Sequence, residues 1–166
     1  MIRKLFLVIL FVLAIGISKA CAERFDIEGY VVRLDANCAV ITSKDSKART
    51  EDAAYRFYGI GLPSEKHPFG PEVRKYLRNV LSKGRRIHIK KMTESAGSDS
   101  MPEALIQVSG DSLNYALIRE GLAWVDRQRC RDLYCRRWHI AEHKAIEARM
   151  GIWSVDMPTP PWQWAR

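Results

Sequence analysis

The chain has 166 residues, 47% hydrophobic and 28% charged, with a formal net charge of +8. That length supplies one domain with a real core rather than several domains. The positive excess suits a polyanionic partner and equally suits plain solubility, so charge alone selects no function.

Arg3 and Lys4 precede an apolar run from Leu5 to Ile17 that only Gly16 interrupts, and Ala20-Cys21-Ala22 supplies small residues at signal-peptidase spacing. This pattern predicts a signal peptide over residues 1–22, cleavage before Glu23, and export to the periplasm or the exterior. The run is short of the roughly 20 residues that span a bilayer, so no stable membrane insertion is expected after cleavage. An uncleaved anchor and lipidation at Cys21 are the alternatives, the latter weakened by Lys19. Cleavage removes Arg3, Lys4 and Lys19 and no acid, so the 27 basic residues fall by three against 19 acidic ones. Outside the cytoplasm thiols tend to pair. Cys130 and Cys135 predict a small disulfide loop, provided the intervening turn is not helical. Zinc is the alternative, poorly supported by a C-x₄-C pair without a second pair. Cys38 reads as a small buried hydrophobe.

In chain order, residues 25–34 read as a strand with a bulge or bend at Gly29. Asp35-Ala36-Asn37 is turn chemistry, and 38–42 a second strand closing a hairpin. Residues 43–52 are a polar loop, and 53–60 a third strand carrying Arg56. Gly59, Gly61, Pro63 and Pro68 then break the pattern. Val73, Tyr76, Leu77, Val80 and Leu81 fall at helical spacing over 71–83. Residues 85–92 alternate, with Ile87 and Ile89 on one face and Arg86, His88 and Lys90 on the other. Residues 104–108 are a fifth strand. A helix follows from Ser112 with Asp111 as its N-cap, stopped by Gly121. Residues 122–125 are extended, and 135–150 form the last helix. The order predicts an α+β domain over residues 23–155: a five-stranded OB-fold barrel with three packed helices. Residues 156–166, rich in proline and tryptophan, form a non-helical tail, with Trp162 and Trp164 packing on the body or reaching a partner.

Several segments together resemble the staphylococcal nuclease (thermonuclease) domain family. Arg56-Phe57-Tyr58-Gly59-Ile60-Gly61-Leu62-Pro63 is similar to the family's R-L-x-G-I-D-x-P-E segment. Asn114 through Gly121-Leu122-Ala123-Trp124-Val125 is similar to its N-x-x-L-V-x-x-G-L-A-W-V motif. Glu142 through Gly151-Ile152-Trp153 is similar to its ending, and the likeness runs over residues 25–155. The resemblance implies calcium-assisted hydrolysis of phosphodiesters in DNA and RNA. It implies that Arg56 is the first catalytic arginine. It also implies replacements: Asn37 and Gly61 stand where the family has calcium-binding aspartates, Ser64 replaces the glutamate that orders water, and Glu103 replaces the second arginine. Hard divalent cations need carboxylate oxygens, so a metal site with Asn37 and Gly61 is expected to be weak or absent.

The reading that follows is an exported, catalytically degenerate member that binds nucleic acid or another polyanion, without a cofactor and as a monomer. Arg85, Arg86, Lys90, Lys91 and the cluster from Arg127 to Arg137 are its candidate contacts. The competing enzyme reading is an active calcium-dependent endonuclease with a rearranged site, in which Asp35, Glu65, Asp99 or Glu103 substitutes. A third reading is an envelope module whose Trp162/Trp164 tail docks a protein or glycan.

Overall fold

Exposure alternates along Ile27–Leu34, which forms β1. In this computed structural model the described residues are 25, 27–35, 39–44, 53–93 and 101–163. The expected signal peptide, Asn37, Cys38, Asp99 and Trp164 lie outside them. β1 pairs antiparallel with β2 (Val40–Ser43) on one edge and with β5 (Arg86–Lys91) on the other. The pairing irregularity falls between Val31 and Arg33, not at Gly29 as expected. β2 pairs with β3 (Ala53–Phe57), and β5 with β6 (Glu103–Val108). A parallel pairing of β3 with β6 then closes a five-stranded mixed barrel. Its interior carries Val31, Val40, Phe57, Ile87, Ile89 and Ile106, all buried. Full burial of each large aliphatic contributes about 1.5–3 kcal/mol.

The third strand is shorter than expected. It breaks at the Tyr58-Gly59 turn, and Ile60–Gly61 (β4) leaves the barrel to pair with Trp124–Val125 (β8). Asp126 N donates to Gly59 O at 2.9 Å and continues that pairing. A partner some sixty residues away in the chain is invisible to local periodicity.

Three helices cover the barrel. α1 (Gly70–Val80) buries Val73 and Leu77. α2 (Leu113–Arg119) buries Leu113, Asn114, Leu117 and Ile118. α3 (Leu133–Glu147) buries Cys135, Trp138, Ala141, Glu142 and Ala145. The N-cap of α2 is Ser112, whose hydroxyl accepts from Tyr115 N at 3.4 Å; Asp111, the expected cap, belongs instead to the short β7 (Asp111–Ser112) paired with β6. α3 begins two residues before Cys135, so one cysteine of the expected pair sits in its first turn. The Cys130–Cys135 disulfide forms nonetheless, with the two Cα atoms 5.7 Å apart. The tail also holds a single 3-10 turn, Pro161–Gln163, where none was expected. A proline opens such a turn without loss, because its missing N–H has no partner to find there.

Buried polar groups lock this arrangement. Asn114 accepts from Ile106 N at 3.0 Å and donates to Tyr58 O and Ala104 O, each at 3.2 Å. It therefore ties α2 to β6 and to the residue that ends β3. Glu142 on α3 accepts from Val125 N at 2.7 Å and so holds β8. The two glycines of the GLAWV and GIW segments meet each other: a Cβ on Gly151 would lie 2.3 Å from Gly121 O, and one on Gly121 would lie 2.4 Å from Met150 O. Only residues without a Cβ allow that approach, and Ile152 N donates to Gly121 O at 2.8 Å across it.

Candidate active site

The alternation of β3 turns Tyr55 and Phe57 inward and leaves Arg56 exposed. Arg56 and Glu103 are register partners across the parallel pairing that closes the barrel, and Arg56 N donates to Pro102 O at 3.0 Å. The two side chains therefore issue from the same face at adjacent positions. The guanidinium of Arg56 makes no hydrogen bond or ion pair among the described residues.

Glu103 does have a partner. Arg129 Nη1 donates to Glu103 Oε1, and Arg129 Nε donates to Asp126 Oδ2 at 2.6 Å. Asp126 is itself buried and accepts from Gln128 N at 3.0 Å and Arg129 N at 3.2 Å through Oδ1. Burial disfavours the charge on Arg129, but the bond to Asp126 and the charge of Glu103 outweigh it and hold its pKa above the ordinary arginine value. The segment that carries Arg129 is pinned twice. The Cys130–Cys135 disulfide closes it, and Tyr58 O–H lies 2.8 Å from Arg129 O and 2.9 Å from Asp132 Oδ2. Burial, followed by Asp132, raises the pKa of Tyr58, which stays protonated as a donor. A carboxylate at the site is thus neutralised by an arginine from a distant loop. Arg129 falls within the Arg127 to Arg137 cluster expected to contact nucleic acid, but its pairing with Glu103 was not expected, and Asp126 was not singled out. The run of arginines flanking the two cysteines was the available signal, because a closed loop presents its charges in a set direction.

After β4 the loop carries the other expected residues. Ser64 is exposed, and its main-chain O accepts from His67 N at 3.0 Å. Glu65 is 71% exposed and lies 3.9 Å from Arg74 on α1, which also donates to Asp35 O at 3.1 Å. Arg74 therefore joins this loop to the first hairpin. Asp35 accepts from Ala39 N at 2.6 Å and secures its own turn. His67 accepts from Phe69 N at 3.2 Å and meets the Trp124 ring edge-on at 5.6 Å; burial lowers its pKa and keeps the imidazole neutral at pH 7.

Gly61 is filled from outside. A Cβ placed there would lie 2.7 Å from the Trp162 ring and 3.2 Å from the ring of Pro161. The tail thus packs on this loop, with Trp162 46% exposed. Among the described residues the side-chain donors of this face do not fit a calcium ion: position 61 offers no side-chain oxygen and its side-chain space holds the tail, Ser64 offers a neutral hydroxyl, and Glu65 lies beside Arg74.

The basic candidates divide between two places. Lys91 pairs with Ala104, the residue that pairs with Phe57 on its other edge, so Lys90 and Lys91 stand at the Arg56 end of the barrel. Arg85 and Arg86 stand at the opposite end of β5. Arg86 lies 3.7 Å from Glu28, and Arg85 Nε donates to Val80 O at 3.2 Å. Arg127 lies 3.6 Å from buried Glu142, and Arg137 stacks on the Tyr115 ring at 4.6 Å.

The family model described as staphylococcal nuclease homologue matches residues 42–155. An uncharacterized 38.1 kDa protein of Capnoides sempervirens is 30% identical over 112 residues, 67% of this chain and 31% of that protein. Staphylococcal-like nuclease CAN1 of Arabidopsis thaliana is 23% identical over 127 residues, 76% of this chain and 38% of that protein. An uncharacterized endonuclease of Escherichia coli is 26% identical over 143 residues, 84% of this chain and 85% of that protein. The chain spans about a third of the two plant proteins and most of the bacterial one.

Proposed function

The chain belongs to the staphylococcal nuclease homologue family, and on that premise we propose that it is a nucleic-acid-binding domain that keeps the family's barrel and has lost its hydrolysis. The observation that carries the proposal is the tail on Gly61. Metal-assisted phosphodiester cleavage needs hard-cation ligands, a base to take a proton from water, and positive charge where the phosphorane forms. At position 61 there is no side-chain ligand atom, and Trp162 stands where one would reach. The Ser64 hydroxyl is no base at neutral pH. Among the described residues each carboxylate named as a substitute has another partner: Glu103 is bound by Arg129, Asp35 accepts from Ala39 N, and Glu65 lies beside Arg74.

What is left suits binding. Arg56 is exposed, its five N–H donors are free among the described residues, and Lys91 lies one strand beyond, across β6. Export belongs to the same reading. The Cys130–Cys135 disulfide suits an oxidising compartment, where such bonds persist. Within this reading the domain acts as a monomer.

A plasmid-nicking assay with calcium, run beside fluorescence anisotropy on an oligonucleotide, tests the proposal. The expected result is no nicking above a buffer control, with salt-dependent binding that weakens about fivefold to tenfold in Arg56→Ala. Robust calcium-dependent nicking that disappears in Arg56→Ala would instead establish an active nuclease with a rearranged site.

A further inference from the structure

At the far end of β6 from Glu103, a groove of about 800 Å³ opens between α1, the turn into β7, and the helices α2 and α3. That is within the roughly 300–1,000 Å³ of small-ligand sites. Its lining includes Tyr76, Tyr115, Tyr134 and Trp138, with Arg119 and Arg137 among the same wall residues. Arg137 lies over the Tyr115 ring at 4.6 Å and makes no ion pair among the described residues. The hydroxyls of Tyr76 and Tyr115 likewise have no hydrogen-bond partner there. Arg119 is paired with Glu120 at 2.8 Å. Val80, another lining residue, gives its carbonyl to Arg85 at 3.2 Å, so a third guanidinium stands at the rim.

Flat aromatic faces beside an unpaired guanidinium, that of Arg137, are what a nucleobase and its phosphate require: rings stack on the base, and arginine both stacks and binds the phosphate oxygens. Resting on the nucleic-acid reading above, we propose that this groove is a second contact for single-stranded nucleic acid, which stacks a base on Tyr115 and Arg137 and carries its backbone past Arg119 and Arg85. Neutral partners such as sugars would use the rings but leave Arg137 without a counter-charge. The groove begins four to five residues along β6 from the partner of Arg56, roughly 13–17 Å at about 3.3 Å per residue. A short strand can touch both places, and the division of the basic residues between the two ends of β5 acquires a purpose.

The test uses the full chain and a fluorescein-labelled oligothymidylate of about ten nucleotides, followed by anisotropy at low salt. Arg137→Ala should weaken binding at least about fivefold, and Tyr115→Leu by between about fivefold and a hundredfold, the span expected for loss of one stacking platform. Arg137 is exposed and makes no ion pair among the described residues, so its variant decides the matter even if Tyr115→Leu fails to fold by circular dichroism. Wild-type binding with both folded variants within twofold of it would overturn the groove and leave the Arg56 site standing. No binding by the wild type would remove the nucleic-acid reading and this inference with it. Displacement by thymidine monophosphate at the same concentration as the unlabelled oligonucleotide would overturn the strand and assign the groove to a free nucleotide.

Discussion

Asn114 and Gly61 both belong to segments that resemble the nuclease family, and they have opposite fates. Asn114 is buried, and its amide satisfies one backbone N–H and one carbonyl of β6 and the carbonyl of Tyr58 in the turn after β3. Gly61 makes no side-chain bond at all, and the tail has moved into its space. The difference lies in what each group does for folding. An amide that pairs buried backbone cannot be lost without leaving those groups unpaired in a low-dielectric interior. A carboxylate that would serve only a metal costs the folded chain nothing when it goes, and its absence relieves charge repulsion. The same contrast separates Glu142, which holds β8 through Val125 N, from Ser64 on the site loop. The barrel is therefore held by residues other than those of the site loop.

The comparison breaks most sharply at Asn114. Asn114→Ala should destabilise the protein by about 3 kcal/mol or more, because it strands a buried donor and weakens two acceptors. Urea denaturation measures this, and a loss below about 1 kcal/mol would mean that water or backbone movement takes over the amide's role. Next in size is Gly61→Asp. In the full chain the new side chain meets Trp162 and should cost about 1–3 kcal/mol as an overpacked contact. In a chain ending at Val155 the same substitution should cost little; an equal cost in both chains would show that the tail does not press on this loop. The smallest effect concerns Glu142. Burial raises its pKa above the usual carboxylate range, against the bond from Val125 N and the charge of Arg127. The folded state then holds the proton more tightly than the unfolded chain, so this group's contribution to stability declines as pH rises from the unfolded value through the raised one. Glu142→Gln retains an acceptor for Val125 N and should remove that decline from the melting temperature measured against pH. A pH dependence identical to wild type would assign no role to this carboxyl group.

Much of this was readable along the chain. Alternation at residues 85–92 and the apolar stripe of Val73, Leu77 and Leu81 follow from periods of two and of 3.6 residues, which local sequence records directly. The disulfide followed from two cysteines five apart in the sequence. The end of β3 was misplaced, because Ile60 and Gly61 look like a continuation of the strand until Trp124 and Val125 arrive to pair with them. The cap of α2 was misassigned by one residue, since aspartate and serine are nearly equal candidates and only the geometry separates them.

At the site, the sequence by itself determined which groups are available: an arginine at 56, no side chain at 61, a hydroxyl at 64 and a carboxylate at 103. Side-chain chemistry is carried by residue type, so that inventory needs no coordinates. Only the tertiary structure decided what each group faces. It set Arg129 against Glu103, laid Pro161 and Trp162 on Gly61, and gathered tyrosines from three elements and Trp138 around one groove. Those contacts join residues far apart in the chain, and they arise because barrel closure and helix packing bring distant backbone together while local pattern reaches only a few residues in each direction.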